Sequence, residues 1–269
     1  MIAAAAVLIL LFIFWDIFRP TQRVARAESD SIPTRIETPP PNPMATTTSQ
    51  GAVLPAAPTA PTAPIGGVVG GREPTYIDLL ARSETRRRIR ASGNSTYLGD
   101  ILAASEDSML RRWDNRQTMP IRVWFAPTHA ANFKPSFVDA IRTAFAQWTN
   151  AGVPVRFDFD ADSTNAEVTV KWRIQFEIER TGQTDVTWDE NGHIQSAVIT
   201  LATFDPKGRP MEPDDIRVVA IHEVGHLLGL DHSKDSTDIM FPTAKVRDLS
   251  DRDSRTVLLL YQLSPGSLR

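Results

Sequence analysis

Three of the five histidines in this 269-residue chain, His222, His226 and His232, fall within eleven residues of one another. His222 and His226 are four residues apart, and in a helix this spacing places both imidazoles on one face. Two imidazoles on one face can bind a single metal ion, and zinc commonly takes such nitrogen ligands. The spacing therefore predicts a metal site carried by a helix.

A third ligand must come from outside this helix, and Gly229 provides the turn that delivers it. Glycine readily adopts the left-handed conformation that ends a helix and redirects the chain. His232, three residues further on, can then return to the metal. Three protein ligands leave a fourth position for water, which is typical of a catalytic zinc site rather than a structural one.

Glu223 follows the first ligand and is placed to act on that water rather than to bind the metal. Zinc lowers the pKa of a bound water to about 7. A neighbouring carboxylate can accept the proton during attack on a carbonyl and pass it to the leaving amine. The alternatives are a helix whose histidines only form hydrogen bonds and a zinc site that binds without catalysis. The intact Glu223 favours turnover.

Composition excludes several other classes of function. The chain has no cysteine, so it has no disulfide framework, thiolate zinc site or cysteine nucleophile. Its formal charge of −3 argues against nucleic acid as a partner, because phosphate binding needs a concentrated basic face. The one basic run, Arg86–Arg90, is typical of a solvated helix face.

Two N-terminal segments precede any pattern of a folded domain. Residues 1–18 form an apolar run that we interpret as an uncleaved membrane anchor, with a cleaved signal segment as the alternative. Residues 19–74 are rich in proline, alanine, threonine and glycine, which predicts a disordered linker that acts as a tether. Arg19, Arg23 and Arg26 follow the apolar run and, by the positive-inside rule, favour a cytoplasmic location for the rest of the chain.

Residues 75–118 carry helical patterns, and we interpret them as a helical extension packed on the next domain, or as a pro-segment. The stretch "PTYIDLLARSETRRRIRASG" has apolar residues at helical spacing and is predicted to end near Gly93. The stretch "TYLGDILAASEDSMLRRW" predicts a second amphipathic segment.

The compact domain is predicted at residues 119–269, with an α+β fold. Strands are indicated in "PIRVWF", "VPVRFDFD" and "AEVTVKWRI", and a hairpin in "TDVTWDENGHIQSAVITLAT" with its turn at "NG". A helix with an apolar stripe from Phe137 to Trp148 lies between the first two strands. This order favours a mixed sheet with helices on one side.

Capping residues mark the starts of two later helices. The metal-binding helix is predicted to begin near "MEPDD", with Asp214 or Asp215 as its cap. The last helix, in "SDRDSRTVLLLYQL", is predicted to begin with a capping box of Ser250 and Asp253.

The motif "HEVGHLLGLDH" resembles the extended zinc signature of the metzincin peptidases, and "DIMFP" resembles their Met-turn. Ser233 directly follows the third histidine, and a serine at this position resembles the matrixin branch of these peptidases. The order of elements over about Met119–Gln262 also resembles a matrixin catalytic domain. The resemblance implies a metzincin (zincin-like) fold with a twisted mixed sheet, an active-site helix, a Met-turn and a C-terminal helix.

The resemblance also implies a zinc-dependent endopeptidase that acts on protein or peptide substrates. His222, His226 and His232 would bind the zinc, Glu223 would be the general base, and Met240 would be a structural floor under the metal. The strand in "AVITLAT" would pair with an extended substrate, and "PTAKVRD" would form a wall of the specificity pocket.

The same resemblance places the catalytic domain outside the cytoplasm, either anchored or secreted, against the indication from the arginines. Two other functions stay open. One is a catalytically silent zinc-binding interaction module on a membrane tether, and the other is a zinc hydrolase that acts on something other than protein.

Some features depart from vertebrate-type matrixins. Inhibition by a propeptide cysteine is impossible in a chain without cysteine, and only His129 and His193 remain for a second, structural zinc. Both are predicted to be surface residues. Asp158, Asp160 and Asp162 occupy alternating positions, which places their carboxylates on one side of a strand end. These carboxylates could bind calcium, and the alternative is that they only contact solvent.

Overall fold

The structure is a computed structural model that describes residues 74–114, 116–177 and 179–269. The predicted anchor at residues 1–18 and almost all of the predicted linker at residues 19–74 lie outside these residues. Within the described part of the chain, no helix combines the length and the apolar character needed to cross a bilayer.

Helices and strands both occur along the described chain. In order, they are α1 (Tyr76–Ser92), a 3₁₀ turn (Gly93–Ser95), α2 (Leu98–Ala104), β1 (Met109–Leu110), β2 (Ile121–Phe125), α3 (Ser136–Asn150), β3 (Phe157–Asp158), β4 (Val168–Arg173), β5 (Gly182–Trp188), β6 (Ile194–Ala202), α4 (Pro213–Leu227), α5 (Asp251–Gln262) and β7 (Gly266–Ser267).

Five of these strands form a mixed sheet in the order β3-β2-β4-β6-β5. The first four are parallel, while β5 runs antiparallel to β6 and joins it through a turn in which Gly192 has a φ of +80°. The predicted α+β class, mixed sheet and hairpin are therefore confirmed.

The sheet order corrects the predicted strand for substrate pairing. The "AVITLAT" segment lies in β6, which is hydrogen-bonded to β4 from Val168↔Ala197 onward and to β5 from Gly182↔Leu201 onward. Both edges of β6 are already used, so it cannot accept a further strand and the prediction is wrong. Among the described strands, β5 is the edge on this side of the sheet.

Helices α3 and α4 pack against each other and against the sheet. The predicted apolar stripe of α3 is buried, and its Phe137 and Phe145 rings contact Trp172 and Phe157 of the sheet. The indole N–H of Trp148 donates to the carbonyl of Ile221 on α4 at 2.8 Å. This contact holds α4, the helix that carries His222 and His226, on the core.

The second predicted amphipathic segment, residues 96–113, is helical only over Leu98–Ala104, so the helical pattern predicted for the rest of it is wrong. The side chain of Ser105 donates to Asp107 at 2.6 Å, and Ser108 has a φ of +50°. These local bonds compete with the helix and end it. The chain then forms β1, which pairs with β7, and the buried indole of Trp113 donates to the carbonyl of Leu227 at 2.9 Å.

The helix starts agree only in part with prediction. At α5 the capping box is confirmed, because Ser250 accepts the amide of Asp253 and Asp253 accepts the amide of Ser250, both at 2.9 Å. At α4 the N-cap is Glu212, not Asp214 or Asp215, because Pro213 favours the first helical position. Asp215 instead accepts the Glu212 amide at 3.2 Å from the third helical position.

Gly229 ends the turn after α4 in a conformation and a space that only glycine fits. Its φ is +98°, and an added Cβ would lie 2.0 Å from the carbonyl oxygen of Arg111. We expect Gly229→Ala to lower the free energy of unfolding by roughly 3 kcal/mol, from backbone strain plus overlap. Urea denaturation in the presence of a chelator measures this loss without a contribution from bound metal.

Gly208→Ala is the matched control, because Gly208 has a φ of +78° but nothing within 4 Å of an added Cβ. We expect it to lose only about 1 kcal/mol, from backbone strain alone. Equal losses at the two positions would contradict the close approach of Gly229 to Arg111.

Candidate metal centre

The first two predicted ligands lie on the last two turns of α4 and face the Met-turn. His222 is buried, and the methionine of the Met-turn, Met240, is fully buried against the helix. A Cβ on Gly225 would lie 2.2 Å from the sulfur of Met240, so the absence of a side chain there lets Met240 approach the helix backbone. The predicted floor, Met240, thus packs on the turn that carries both histidines.

The turn after α4 returns the third histidine to the first two. The amide of Leu230 donates to the carbonyl of Gly225 at 3.0 Å, which closes the helix end around Gly229. His232 then lies with its Nε2 atom 3.3 Å from Nε2 of His222. The Nε2 atoms of His226 and His222 are 3.2 Å apart.

These separations match the size of a zinc site. In a tetrahedron with metal–nitrogen distances of about 2.0–2.1 Å, neighbouring nitrogens are about 3.3–3.4 Å apart. Among the described residues, these three histidines form the only group of three or more His, Asp or Glu side chains whose ligand atoms converge in this way. The donor set and its spacing therefore fit a zinc ion.

Backbone carbonyls hold two of the rings in the form that binds metal. Nδ1–H of His222 donates to the carbonyl of Ile239 at 2.7 Å, and Nδ1–H of His226 donates to the carbonyl of Leu230 at 2.9 Å. With the proton on Nδ1, each Nε2 presents a lone pair to the centre. His232 lies beside the carboxylate of Asp231, with Nδ1 3.6 Å from Oδ1.

Burial also keeps the rings uncharged. Desolvation, together with the neighbouring histidines, lowers the pKa of His222 to about 3 and the pKa values of His226 and His232 to about 4. Neutral imidazole is the form that binds a metal ion. At neutral pH the three ligands therefore do not need to release a proton before they bind.

Glu223 is buried between α4 and the edge strand β5. The hydroxyl of Thr184 donates to its Oε2 at 2.7 Å, and a Cβ on Gly182 would lie 2.4 Å from its Oε1. Burial raises the pKa of Glu223 to about 7, although the Thr184 hydrogen bond acts in the opposite direction. Thr184 and Gly182 were not predicted as site residues, because the alternation of a strand does not show which side chain of a neighbouring helix it contacts.

The remaining predicted ligands lie apart from this centre. Asp158 accepts the amide of Asp160 at 3.0 Å, and Asp162 accepts the amide and the hydroxyl of Thr164 at 2.8 and 2.6 Å. A calcium site at these three aspartates stays a prediction. His129 is exposed, and His193 is partly exposed beside Asp189.

Sequence comparison decides the family. Residues 112–262, more than half of the chain, match the matrixin family, which is a family of peptidases. The chain belongs to the matrixin family. Membership confirms the predicted metzincin fold and identifies zinc as the cofactor, in agreement with the three converging histidines.

Relatives of this matrixin include plant and animal proteins. It is 30% identical over 169 residues to metalloendoproteinase 1-MMP of Arabidopsis thaliana, covering 57% of this chain and 45% of that protein. It is 28% identical over 148 residues to metalloendoproteinase 1 of Glycine max, covering 48% and 47%. Over 49 residues it is 61% identical to macrophage metalloelastase of Oryctolagus cuniculus, covering 16% and 11%. The chain spans about half the length, or less, of these relatives.

Removing one ligand tests the metal centre of this matrixin. We expect His226→Ala to raise the zinc dissociation constant by at least about a hundredfold, since loss of a direct ligand exceeds the usual effect of losing an outer-shell partner. Competition with a chelating dye measures the constant. His129→Ala, an exposed histidine outside the triad, should leave it unchanged. Full zinc affinity in His226→Ala would contradict the assignment.

Proposed function

We propose that this matrixin is a zinc-dependent endopeptidase that hydrolyses peptide bonds, with Glu223 as the general base. The observation that carries the proposal is one buried carboxylate on the helix turn that also carries converging imidazole ligands, next to the free edge of the sheet. His222, His226 and His232 would hold the zinc, which when bound supplies the Lewis acidity that activates water and stabilises charge on the carbonyl oxygen.

The role of Glu223 is to move a proton. Its carboxylate accepts a proton from the attacking water and delivers it to the nitrogen of the leaving amine. Thr184 orients the carboxylate by donating to Oε2, and Gly182 leaves room for Oε1. Oε1 of Glu223 is positioned by its packing against Gly182, and it forms no hydrogen bond within the described part of the chain.

The edge strand β5 supports binding of an extended substrate. One edge of β5 pairs with β6, and its other edge pairs with no described strand. Gly182 and Thr184 of β5 contact Glu223. A peptide that adds to β5 by backbone hydrogen bonds would pass beside the base. This replaces β6 as the proposed pairing strand.

A specificity wall in "PTAKVRD", residues 242–248, is also proposed. Arg217 of α4 donates to the carbonyl of Arg247 at 3.1 Å and to Asp248 at 2.8 Å. Arg247 also pairs with Asp214 through its Nε at 2.9 Å. These bonds attach the segment to the first turns of the metal-binding helix.

The proposed substrate class is supported by the names of the relatives, and the proposed location is supported by the sequence. The relatives bear the names metalloendoproteinase and metalloelastase, which supports peptide-bond hydrolysis. We place the domain outside the cytoplasm, attached to a membrane through residues 1–18, with secretion as the alternative. A silent zinc-binding module is the second candidate, but the buried Glu223 beside the ligands favours catalysis.

Glu223→Ala separates catalysis from metal binding. We expect this variant of the 269-residue chain to keep one equivalent of zinc, because Glu223 is not a ligand, and to lose about a thousandfold in kcat/KM, as is typical for loss of a general base. Hydrolysis of fluorescently labelled denatured casein measures activity, and metal analysis measures zinc.

Glu190→Ala, an exposed glutamate in the hairpin, is the control and should retain activity. A chelator should abolish hydrolysis by the parent protein, and added zinc should restore it. A Glu223→Ala variant that hydrolyses casein at the parent rate would eliminate Glu223 as the base, and zinc-loaded parent protein without activity would favour the silent module.

Thr184→Val tests the positioning of the base, because valine has nearly the same shape without the hydroxyl. We expect kcat to fall about tenfold with little change in KM, since misorientation of a reacting group slows chemistry more than binding. Thr184→Ser should restore most of kcat. Thr187→Val on the same strand, whose hydroxyl bonds to Ser196 at 2.6 Å, should have no such effect. Equal losses at the two threonines would exclude a specific role for Thr184.

A further inference from the structure

The chain before the family match is built into the core of the domain. The match begins at residue 112, whereas α1 and α2 end at Ser92 and Ala104. Three apolar side chains of this segment, Ile89, Leu98 and Ile101, are buried in the same core as the metal-binding helix. Residues 76–104, which we call the N-terminal extension, are therefore packed on the domain that carries the site.

Tyr97 is the most deeply placed residue of the N-terminal extension, with 0% of its surface exposed. Its hydroxyl donates to Oδ1 of Asp253 at 2.9 Å, and its amide donates to the hydroxyl of Thr256 at 3.1 Å. Burial and the adjacent Asp253 raise the pKa of Tyr97 well above its usual value, so the hydroxyl keeps its proton. Tyr97 therefore acts as a permanent donor to α5.

Asp253 connects Tyr97 to the Met-turn through hydrogen bonds. Its carboxylate is fully buried, and its second oxygen accepts the amides of Ile239 at 2.8 Å and Ser250 at 2.9 Å. A buried carboxylate needs hydrogen-bond donors around both oxygens to offset the cost of its desolvation. Tyr97 is the donor to Oδ1, so its hydroxyl helps to keep the carboxylate in the orientation that holds Ile239.

Ile239 completes the connection to the metal centre. Its carbonyl accepts Nδ1–H of the ligand His222 at 2.7 Å, while its amide is bound to Asp253. A continuous series of hydrogen bonds thus runs from Tyr97 through Asp253 and Ile239 to His222. Partners of this kind orient metal-binding histidines and affect metal affinity although they do not touch the metal.

A second connection reaches the loop of the third ligand. Asp100 of the N-terminal extension pairs with Lys234, two residues after His232, at 2.8 Å. Arg252 pairs with the buried Asp238 at 2.7 Å and lies 3.9 Å from Asp100. The N-terminal extension therefore touches both the Met-turn support and the segment that follows His232.

We propose that the N-terminal extension is a permanent part of the framework of the metal centre, and that Tyr97 is a positioning residue for the zinc ligand His222. The inference rests on the proposed zinc site but not on the identity of the substrate. It opposes the alternative that these residues are a pro-segment removed on activation, because removal would take away the donor to Asp253 and expose the part of the core that Leu98 and Ile101 cover.

Tyr97→Phe in the 269-residue chain tests the inference, because it removes only the hydroxyl. We expect the zinc dissociation constant to rise about three- to tenfold, less than the effect of losing a direct outer-shell partner. We also expect a changed visible absorption spectrum of the Co²⁺-loaded variant, which reports ligand geometry. Zinc affinity is measured by chelator competition at a temperature well below unfolding.

Tyr261→Phe is the matched control. Tyr261 lies on α5 and its hydroxyl is also buried, but it takes no part in the series of hydrogen bonds from Tyr97 to His222. It should keep the parent zinc affinity and Co²⁺ spectrum. Parent-like affinity and spectrum in Tyr97→Phe, or equal changes in both variants, would overturn the inference.

Hydrolysis of a protein substrate by the zinc-loaded parent protein is the third measurement, and it separates this inference from the proposed function. If Tyr97→Phe weakens zinc binding while the zinc-loaded parent hydrolyses no protein substrate, the positioning role stands and the endopeptidase function fails. If the parent is active and Tyr97→Phe binds zinc as tightly as the parent, the endopeptidase function stands and the positioning role fails.

Discussion

The Nε2 atoms of His222 and His226 face each other at 3.2 Å in the centre of this site, and each carries a lone pair and no proton. Because His222 and His226 each donate Nδ1–H to a backbone carbonyl, their Nε2 atoms have no proton to share. A shared cation makes this arrangement favourable, and the surrounding structure serves to maintain it. The carbonyls of Ile239 and Leu230 set the ring orientations, so the turns that carry these two residues are as important as the helix.

Three glycines allow the elements to approach this centre closely. Gly225 admits the sulfur of Met240 to the face of the helix, Gly229 reverses the chain beside the carbonyl of Arg111, and Gly182 leaves space for the carboxylate of Glu223. In each case an added Cβ would come within 2.4 Å of another atom. The site is therefore defined by close backbone approach as much as by its polar side chains.

The triad could be predicted because its geometry is local, whereas the Met-turn was predicted from the resemblance of "DIMFP" to the metzincins. Spacing on one helix and a glycine turn relate His222, His226 and His232 over eleven residues, independently of the rest of the fold. The edge of the sheet could not be predicted in this way, because alternation in β6 is the same whether the strand is central or at an edge. Likewise, the bond from Tyr97 to Asp253 joins residues 156 positions apart, and nothing in either local sequence specifies the pairing.

The most direct test of the three-histidine zinc site is a crystal structure of the zinc-loaded protein, with anomalous diffraction measured on both sides of the zinc absorption edge. We expect one anomalous peak bound by Nε2 of His222, His226 and His232 at about 2.0–2.1 Å, with no fourth protein ligand. A peak elsewhere, imidazole rings turned away from one another, or a protein side chain in the fourth position would contradict it.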